Sequence, residues 1–153
     1  SRYYVAVVTR VYRAALDRYL ENPEKWQCDP LWLAELDKVS HRPYDSGFLF
    51  GHDDAKIHSA DTHYQRSFEF VGQVLAIEDD GMALVLGKNR FFPGERLEIF
   101  GPQMRQAEFE VIDVTSENGE PLDVVQPNAK VRMPLPPGCQ VGDMMRVDKQ
   151  ARK

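Results

Sequence analysis

The spacing of apolar residues changes along the chain, and this change limits the folds that the chain can adopt. Between residues 3 and 20, apolar side chains recur every three or four positions, which is the period of an amphipathic helix. From residue 67 onward they alternate with polar side chains, which is the period of a strand with one buried face. The sequence therefore predicts a mainly β, α+β fold whose helices lie in the N-terminal part.

Two helices are predicted in residues 1–40. The first ends at Asn22-Pro23, because proline lacks the next backbone donor and disfavours helical geometry in the residue before it. The second begins with Asp29 as N-cap and Pro30 at the first helical position, and it ends near Ser40. We expect the helices to pack on another domain or on the strands. The apolar stripe of the first helix consists of Val5, Val8, Tyr12, Ala15, Leu16 and Tyr19, and that of the second of Trp32, Leu33, Leu36 and Val39.

Five to seven short strands are predicted in residues 67–150, with a turn between neighbours. Asp80-Gly81 and Asn118-Gly119 are hairpin turn sequences, and Gly72 is expected to bend or bulge the first strand. Regularly spaced short strands are typical of a small closed antiparallel β-barrel, which we expect here. The strand patterns cover residues 67–78, 82–86, 95–100, 107–114, 130–135 and 144–147.

A glycine followed by an acidic residue precedes two of these strands. Gly94-Glu95 and Gly142-Asp143 each stand directly before an apolar segment. Glycine tolerates a tight strand entry, and the carboxylate can accept a hydrogen bond from a nearby amide. We expect both pairs to form such strand entries.

Charge and cysteine content restrict the function classes. The net charge of −5 argues against a protein whose whole surface binds phosphate groups, because such a surface would be positively charged. A local basic patch is compatible with this net charge. No run of about 18 apolar residues is present, so we expect no membrane contact and a cytoplasmic location. Cys28 and Cys139 belong to no metal-ligand pattern and are expected to be buried free thiols.

Residues 41–51 carry the most specific motif of the chain. They fit the pattern His-Arg-x-Tyr-x-x-Gly-Phe-x-x-Gly at every fixed position. This pattern resembles the motif that precedes the C-terminal domain in the collagenase-like peptidase family of unknown catalytic type. Three further segments resemble that family in the same order, namely residues 11–17, residues 70–74, and residues 88–91 followed by Gly94-Glu95.

The resemblance implies an N-terminal catalytic domain, built like an α/β-barrel, that this chain does not contain. It also implies a C-terminal domain similar to the six-stranded barrels of translation factors, which are binding and docking modules. Some members of the family are proteases or collagenases, and others are implicated in oxygen-independent hydroxylation of transfer or ribosomal RNA, or of a quinone precursor. The iron-sulfur cysteines of the hydroxylating members would lie in the missing part, so we expect no cofactor in this chain.

Three groups of residues are candidates for a site. The motif residues His41, Arg42, Tyr44, Gly47 and Phe48 could dock on the catalytic domain or touch a substrate, or they could simply join helix to barrel. His52, His58 and His63 are weak candidates for a metal site, because no recognised ligand spacing is present and a solvated loop has the same composition. The third group is Lys88, Asn89, Arg90 and Phe91, in which two cations stand close to an aromatic ring. Such a group could bind a nucleic-acid strand, or it could belong to an ordinary connection between strands.

The predicted organisation has three parts. Residues 1–40 are a helical segment that leads from the absent catalytic domain, residues 41–66 hold the motif and a polar loop, and residues 67–150 form the barrel domain. The leading hypothesis is a non-catalytic C-terminal module that recognises a polypeptide or RNA substrate or docks on its own catalytic domain. The alternative is a piece of a peptidase that itself contributes residues to proteolysis.

Overall fold

The computed structural model describes residues 1–41, 49, 51, 67–79 and 81–152. Two helices, α1 (Arg2–Glu21) and α2 (Pro30–Leu36), flank a short 3₁₀ turn at Pro23–Lys25. The side chain of Ser1 accepts a hydrogen bond from Tyr4 and caps α1, and Asp29 caps α2 as predicted. The second helix stops at Leu36 and continues as a turn, so it is shorter than the sequence pattern indicates.

The rest of the described chain forms one sheet in which every pairing is antiparallel. The strand order across the sheet is β4-β3-β7-β1-β2-β6-β5. The strands are β1 (Phe68–Ile77), β2 (Met82–Gly87), β3 (Arg96–Phe100), β4 (Gln106–Glu110), β5 (Thr115–Ser116), β6 (Lys130–Pro134) and β7 (Met144–Asp148).

The predicted closed barrel is wrong, because the seven strands form an open sheet. Strands β4 and β5 stand at its two opposite edges, and β5 pairs with β6 through only two residues. Closure would need a hydrogen-bonded ladder between the first and last strands of this order. Local alternation and turn sequences predict strands and hairpins, but they carry no information on whether two distant edge strands pair.

The predicted turns and the bend are confirmed. Gly81, in the turn between β1 and β2, and Gly119, after β5, both have positive φ, and the amide of Ser116 donates to the carbonyl of Glu120 across the second turn. The register of β1 against β7 shifts between Phe70 and Gly72. A Cβ at position 72 would lie 3.2 Å from a methyl of Val85, so glycine also permits close packing there.

Two apolar clusters stabilise the described structure. The larger belongs entirely to the sheet region and includes residues from near both ends of the strand order, such as Val111, Val114 and Val131. The smaller joins the helices to the sheet. In it the ring of Tyr3 stacks on Phe70 at 5.5 Å and meets Phe100 edge-on at 5.9 Å, with Val7 and Val39 alongside.

The apolar stripe predicted for α1 is not the face that packs on the sheet. Val5, Tyr12 and Leu16 are 60%, 63% and 56% exposed, whereas the buried face contains Tyr3, Val7, Arg10 and Val11. The sequence pattern misses this face because it treats an arginine as a surface residue. Arg10 is buried here because Glu35 and the ring of Phe100 accompany its guanidinium group.

No helix in the described ranges combines the length and the apolar character that crossing a membrane requires.

Candidate functional site

The segment between β2 and β3, residues 88–95, is held in place by its backbone. The amide of Lys88 donates to the carbonyl of Val71 at 2.7 Å, and Phe91 pairs with Val125 through hydrogen bonds in both directions. The side-chain amide of Asn89 donates to the carbonyl of Phe70 at 2.8 Å. These bonds fix the segment to β1 and to the chain before β6, so that it presents its side chains from a rigid frame.

Consecutive side chains of this segment point to different environments. Phe91 is 0% exposed and belongs to the sheet core, so its ring is out of reach of a ligand. Phe92 is 41% exposed, and Arg90 is exposed with its Nε donating to Gln126 at 3.3 Å. Of the two rings, Phe92 is therefore the one that can stack on a bound group.

A cavity of about 570 Å³ opens beside these residues. Arg152 closes one side of it by donating from Nε to Glu95 at 2.8 Å and from Nη1 to Glu69 at 2.5 Å. Its remaining nitrogen donates to the backbone carbonyl of Arg90. Among the described residues, the lining consists of Glu69, Asn89, Arg90, Phe92, Glu95, Pro127 and Arg152.

The electrostatics of this cavity are balanced. The hydrogen bond to Glu95 raises the pKa of Arg152 even though partial burial opposes it, and the charge of Glu69 adds to the rise. Arg152 thus pairs with both carboxylates, and Arg90 supplies the second positive charge that balances them. One ring and one accessible cation suit a single unpaired nucleotide better than a long run of phosphates.

The two glycine–acid pairs form equivalent strand entries, as predicted. Gly94 and Gly142 have φ of 85° and 93°. The carboxylate of Glu95 accepts from the amide of Phe92 at 3.2 Å, and that of Asp143 accepts from the amide of Gln140 at 2.9 Å. Each acid also holds an arginine, Arg152 for Glu95 and Arg105 for Asp143.

Sequence analysis missed a cluster of buried charges between the helices and the sheet. Arg146 is 0% exposed and donates to Glu35 of α2 at 2.7 Å and to Glu98 of β3 at 2.9 Å. Lys38 lies 2.9 Å from the second oxygen of Glu98, and Arg10 of α1 lies 3.6 Å from Glu35. We call these five residues the buried ionic cluster.

The cations of the buried ionic cluster keep the carboxylate of Glu35 in the charged form. Burial by itself would raise the pKa of Glu35, but the hydrogen bond and charge of Arg146, with Arg10 and Lys38, lower the pKa of this carboxyl below its ordinary value. Burial alone would lower the pKa of Arg146, but the hydrogen bond and charge of Glu35, together with Tyr3 and Glu98, outweigh burial and raise it. The sequence contains one hint of the cluster, an arginine and a glutamate inside the otherwise apolar strand patterns of β7 and β3.

The motif residues are only partly described. His41 is buried at the end of the helical region, with Nε2 3.5 Å from a carboxylate oxygen of Asp37. Within residues 1–41, 67–79 and 81–152 no group of three potential metal ligands comes together. The other residues predicted in this part of the chain lie outside the described residues; they are Arg42, Tyr44, Gly47, Phe48, His52, His58 and His63.

The two cysteines are free but differently placed. Cys139 is half-buried, and burial followed by the charge of Asp143 raises the pKa of its thiol. Cys28 is exposed, so the expectation of two buried thiols is wrong for this residue. It lies in the short connection between the 3₁₀ turn and α2, which packs on neither cluster.

Comparison with protein families identifies the class of the chain. Residues 66–146 match the peptidase family U32 C-terminal domain, and residues 1–59 match peptidase family U32. Because the first match covers more than half of the chain, the chain belongs to the U32 family. This confirms the resemblance seen in residues 41–51 and in the segments around them.

Curated relatives carry a more specific name. The chain is 31% identical over 152 residues to tRNA hydroxylation protein P1 of Bacillus subtilis (strain 168), covering 97% of this chain and 36% of the relative. It is 32% identical over 141 residues to tRNA hydroxylation protein P of Escherichia coli (strain K12), covering 90% of this chain and 28% of the relative. The chain thus spans about a third, or less, of the length of these relatives.

A solved structure is also similar in sequence. It is the C-terminal domain of a Geobacillus thermoleovorans protein of the U32 peptidase type, 31% identical to this chain. The match covers 51% of this chain and 98% of that one, with a TM-score of 0.48.

Proposed function

We propose that this chain is the substrate-recognition part of a U32 protein that hydroxylates RNA, and that it contacts RNA beside Phe92. The observation that carries the proposal is the shared cavity in which an exposed ring, Phe92, stands next to an exposed cation, Arg90. The names of the curated relatives, which are tRNA hydroxylation proteins, support RNA over a polypeptide as the substrate.

The two side chains have separate roles in this proposal. Phe92 stacks on one unpaired base, a contact that every base can make because each has a π face. Arg90 contacts a neighbouring phosphate, while Gln126 keeps its guanidinium group directed toward the cavity. Arg152 pairs with both Glu69 and Glu95, which reduces their repulsion of the strand.

Because the chain has a net charge of −5, we expect it to make few phosphate contacts with RNA. Few phosphate contacts mean a shallow dependence on salt and modest affinity for this chain alone. The recognition of a flexible, unpaired region would rest on stacking, with the rest of the protein adding affinity.

We place the chemistry of hydroxylation outside this chain. An iron-sulfur cluster of the common type needs four thiolates, and the whole sequence holds only two cysteines. Neither Cys28 nor Cys139 lies within a group of potential metal ligands in the part of the chain that the structure describes. Metal analysis of the purified chain should accordingly find no stoichiometric iron, and one bound iron per chain would contradict this part of the proposal.

The RNA contact can be tested by fluorescence anisotropy with a labelled tRNA at two salt concentrations. Loss of the Phe92 ring by Phe92→Ala should weaken binding about 5- to 150-fold, the range for one stacked base. Arg90→Ala should weaken binding and also reduce its salt dependence by about one phosphate contact.

Two matched controls lie on the sheet outside the cavity lining. Ile112→Ala removes an exposed apolar side chain, and Arg96→Ala removes an exposed arginine of β3. Both should bind RNA like the unmodified chain. Equal affinity of the Phe92→Ala and Ile112→Ala variants would overturn the proposed interface.

A further inference from the structure

Helix α1 has two apolar faces, and the sheet uses only one of them. Tyr3, Val7 and Val11 form the buried face that points to the sheet and α2. On the other side, apolar residues repeat at helical spacing and stay exposed in the described structure. We call this second set the open face; it consists of Val5, Tyr12, Leu16, Tyr19 and Leu20.

The open face is concentrated rather than scattered. Single exposed apolar residues are normal on any protein surface, whereas a contiguous patch marks an interaction site. Val8, Thr9, Tyr12, Arg13 and Leu16 line one shallow depression of about 380 Å³ on this helix, so the open face can receive side chains from a partner.

The family matches indicate which partner the open face serves. Helix α1 lies within residues 1–59, which match peptidase family U32, and outside residues 66–146, which match the C-terminal domain. The alignment with the Bacillus subtilis relative uses 97% of this chain but only 36% of the relative. By sequence, α1 thus belongs to the U32 match and not to the C-terminal domain, and the relative is longer than the part that aligns with this chain.

We infer that the open face of α1 docks on the remainder of the U32 domain in the complete protein. The helix would then be shared between two bodies, with Tyr3, Val7 and Val11 on the sheet side and Tyr12, Leu16 and Tyr19 on the U32 side. This arrangement fixes the direction in which the sheet, and any ligand bound to it, faces the rest of the protein. It does not depend on the proposed RNA contact.

Hydroxyl-radical footprinting read by mass spectrometry tests the docking directly. Oxidation of Tyr12, Leu16 and Tyr19 is measured in the 153-residue chain and in the complete U32 protein, with no RNA present. The expected result is fast oxidation in the short chain and severalfold slower oxidation in the complete protein. Ile112 and Val141, exposed residues of the sheet region, serve as internal controls and should react at the same rate in both.

Three results would overturn the inference. The first is that the residues of the open face are oxidised at the same rate in both proteins. The second is that these residues are already protected from oxidation in a dilute solution of the 153-residue chain. The third is that protection increases with the concentration of the 153-residue chain while sedimentation shows dimer formation. In that case the open face would bind a second copy of the chain.

A variant gives an independent readout. Leu16→Glu places a charge in the centre of the open face, and it should lower the melting temperature of the complete protein but not that of the 153-residue chain. An unchanged melting temperature in both proteins would contradict the docking. Because no RNA is involved, failure here and failure of the RNA contact at Phe92 are distinguishable.

Discussion

The helical region, residues 1–41, and the sheet region, residues 67–152, bury their apolar side chains in different ways. The sheet region encloses its own core of valines, leucine, isoleucine and methionines around Phe91, without help from the helices. The helical region has no such core. Its buried side chains meet the sheet at Phe70, Phe100 and Met144, and much of its apolar surface stays exposed.

Charged groups accompany the apolar packing where the two regions meet. Arg146 and Glu98 of the sheet face Glu35, Lys38 and Arg10 of the helical region. A buried ion pair adds little net stability compared with apolar packing, but it demands one geometry. The sheet region thus has an apolar core of its own, whereas the helical region lies against it through one small apolar cluster and the buried ionic cluster.

The largest expected effect comes from breaking the buried ionic cluster. Arg146→Met leaves Glu35 and Glu98 buried without their shared partner, and it should lower the free energy of unfolding by about 3–5 kcal/mol. Urea denaturation measures the change. Arg13→Met, which removes an exposed arginine of an i,i+4 pair, is the control and should cost less than about 0.5 kcal/mol.

A compensated variant sharpens this test. Glu98→Gln, added to Arg146→Met, removes the carboxylate that lost its arginine and leaves Glu35 to pair with Arg10 and Lys38, so it should recover part of the lost stability. A loss below about 1 kcal/mol for Arg146→Met alone would show that the cluster does not hold the two regions together.

The next effect distinguishes the two faces of α1. Val7→Ala removes two methyl groups from a fully buried site and should cost about 2 kcal/mol. Leu16→Ala removes a larger group from the open face and should change the stability of this chain by less than about 0.5 kcal/mol. If the two substitutions destabilised the 153-residue chain equally, the open face would already be covered within it.

A smaller effect is expected in acid. The folded-state pKa of Glu35 lies below its ordinary value of 4.5, so its stabilising contribution is complete above that pH and is lost as the pH falls through the folded-state pKa. The unfolding free energy of the unmodified chain should therefore fall more steeply between about pH 5 and pH 3 than that of Glu35→Gln. Equal slopes for the unmodified chain and the Glu35→Gln variant would contradict the assignment.

Sequence reasoning succeeded where the determining chemistry is local. Asn22-Pro23 and Asp29-Pro30 set helix boundaries, Asn118-Gly119 sets a turn, and the glycine–acid pairs set two strand entries through bonds spanning three residues. It failed where distant segments meet. Arg146 and Glu35 are 111 residues apart in the chain, and closure of the sheet depends on its two edge strands.

The same division applies to the candidate site. Asn89 and Arg90 were predicted because cations and aromatics stand together in the sequence, whereas Lys88, predicted with them, is not in the cavity lining. Arg152 and Glu69 were not predicted, because 83 residues separate them and only the fold brings them to one cavity. Which of two adjacent rings is exposed also depends on the sheet, since the bridge to Val125 turns Phe91 inward.

The central claim is that the two regions have separate tasks, RNA contact beside Phe92 and docking through α1. RNA binding by two double variants of the 153-residue chain tests it most directly. We expect Arg90→Ala with Phe92→Ala to raise the Kd at least about tenfold, and Tyr12→Ala with Leu16→Ala to leave it within about twofold. The opposite result, with RNA affinity lost from the helix variant and kept in the cavity variant, would contradict the account.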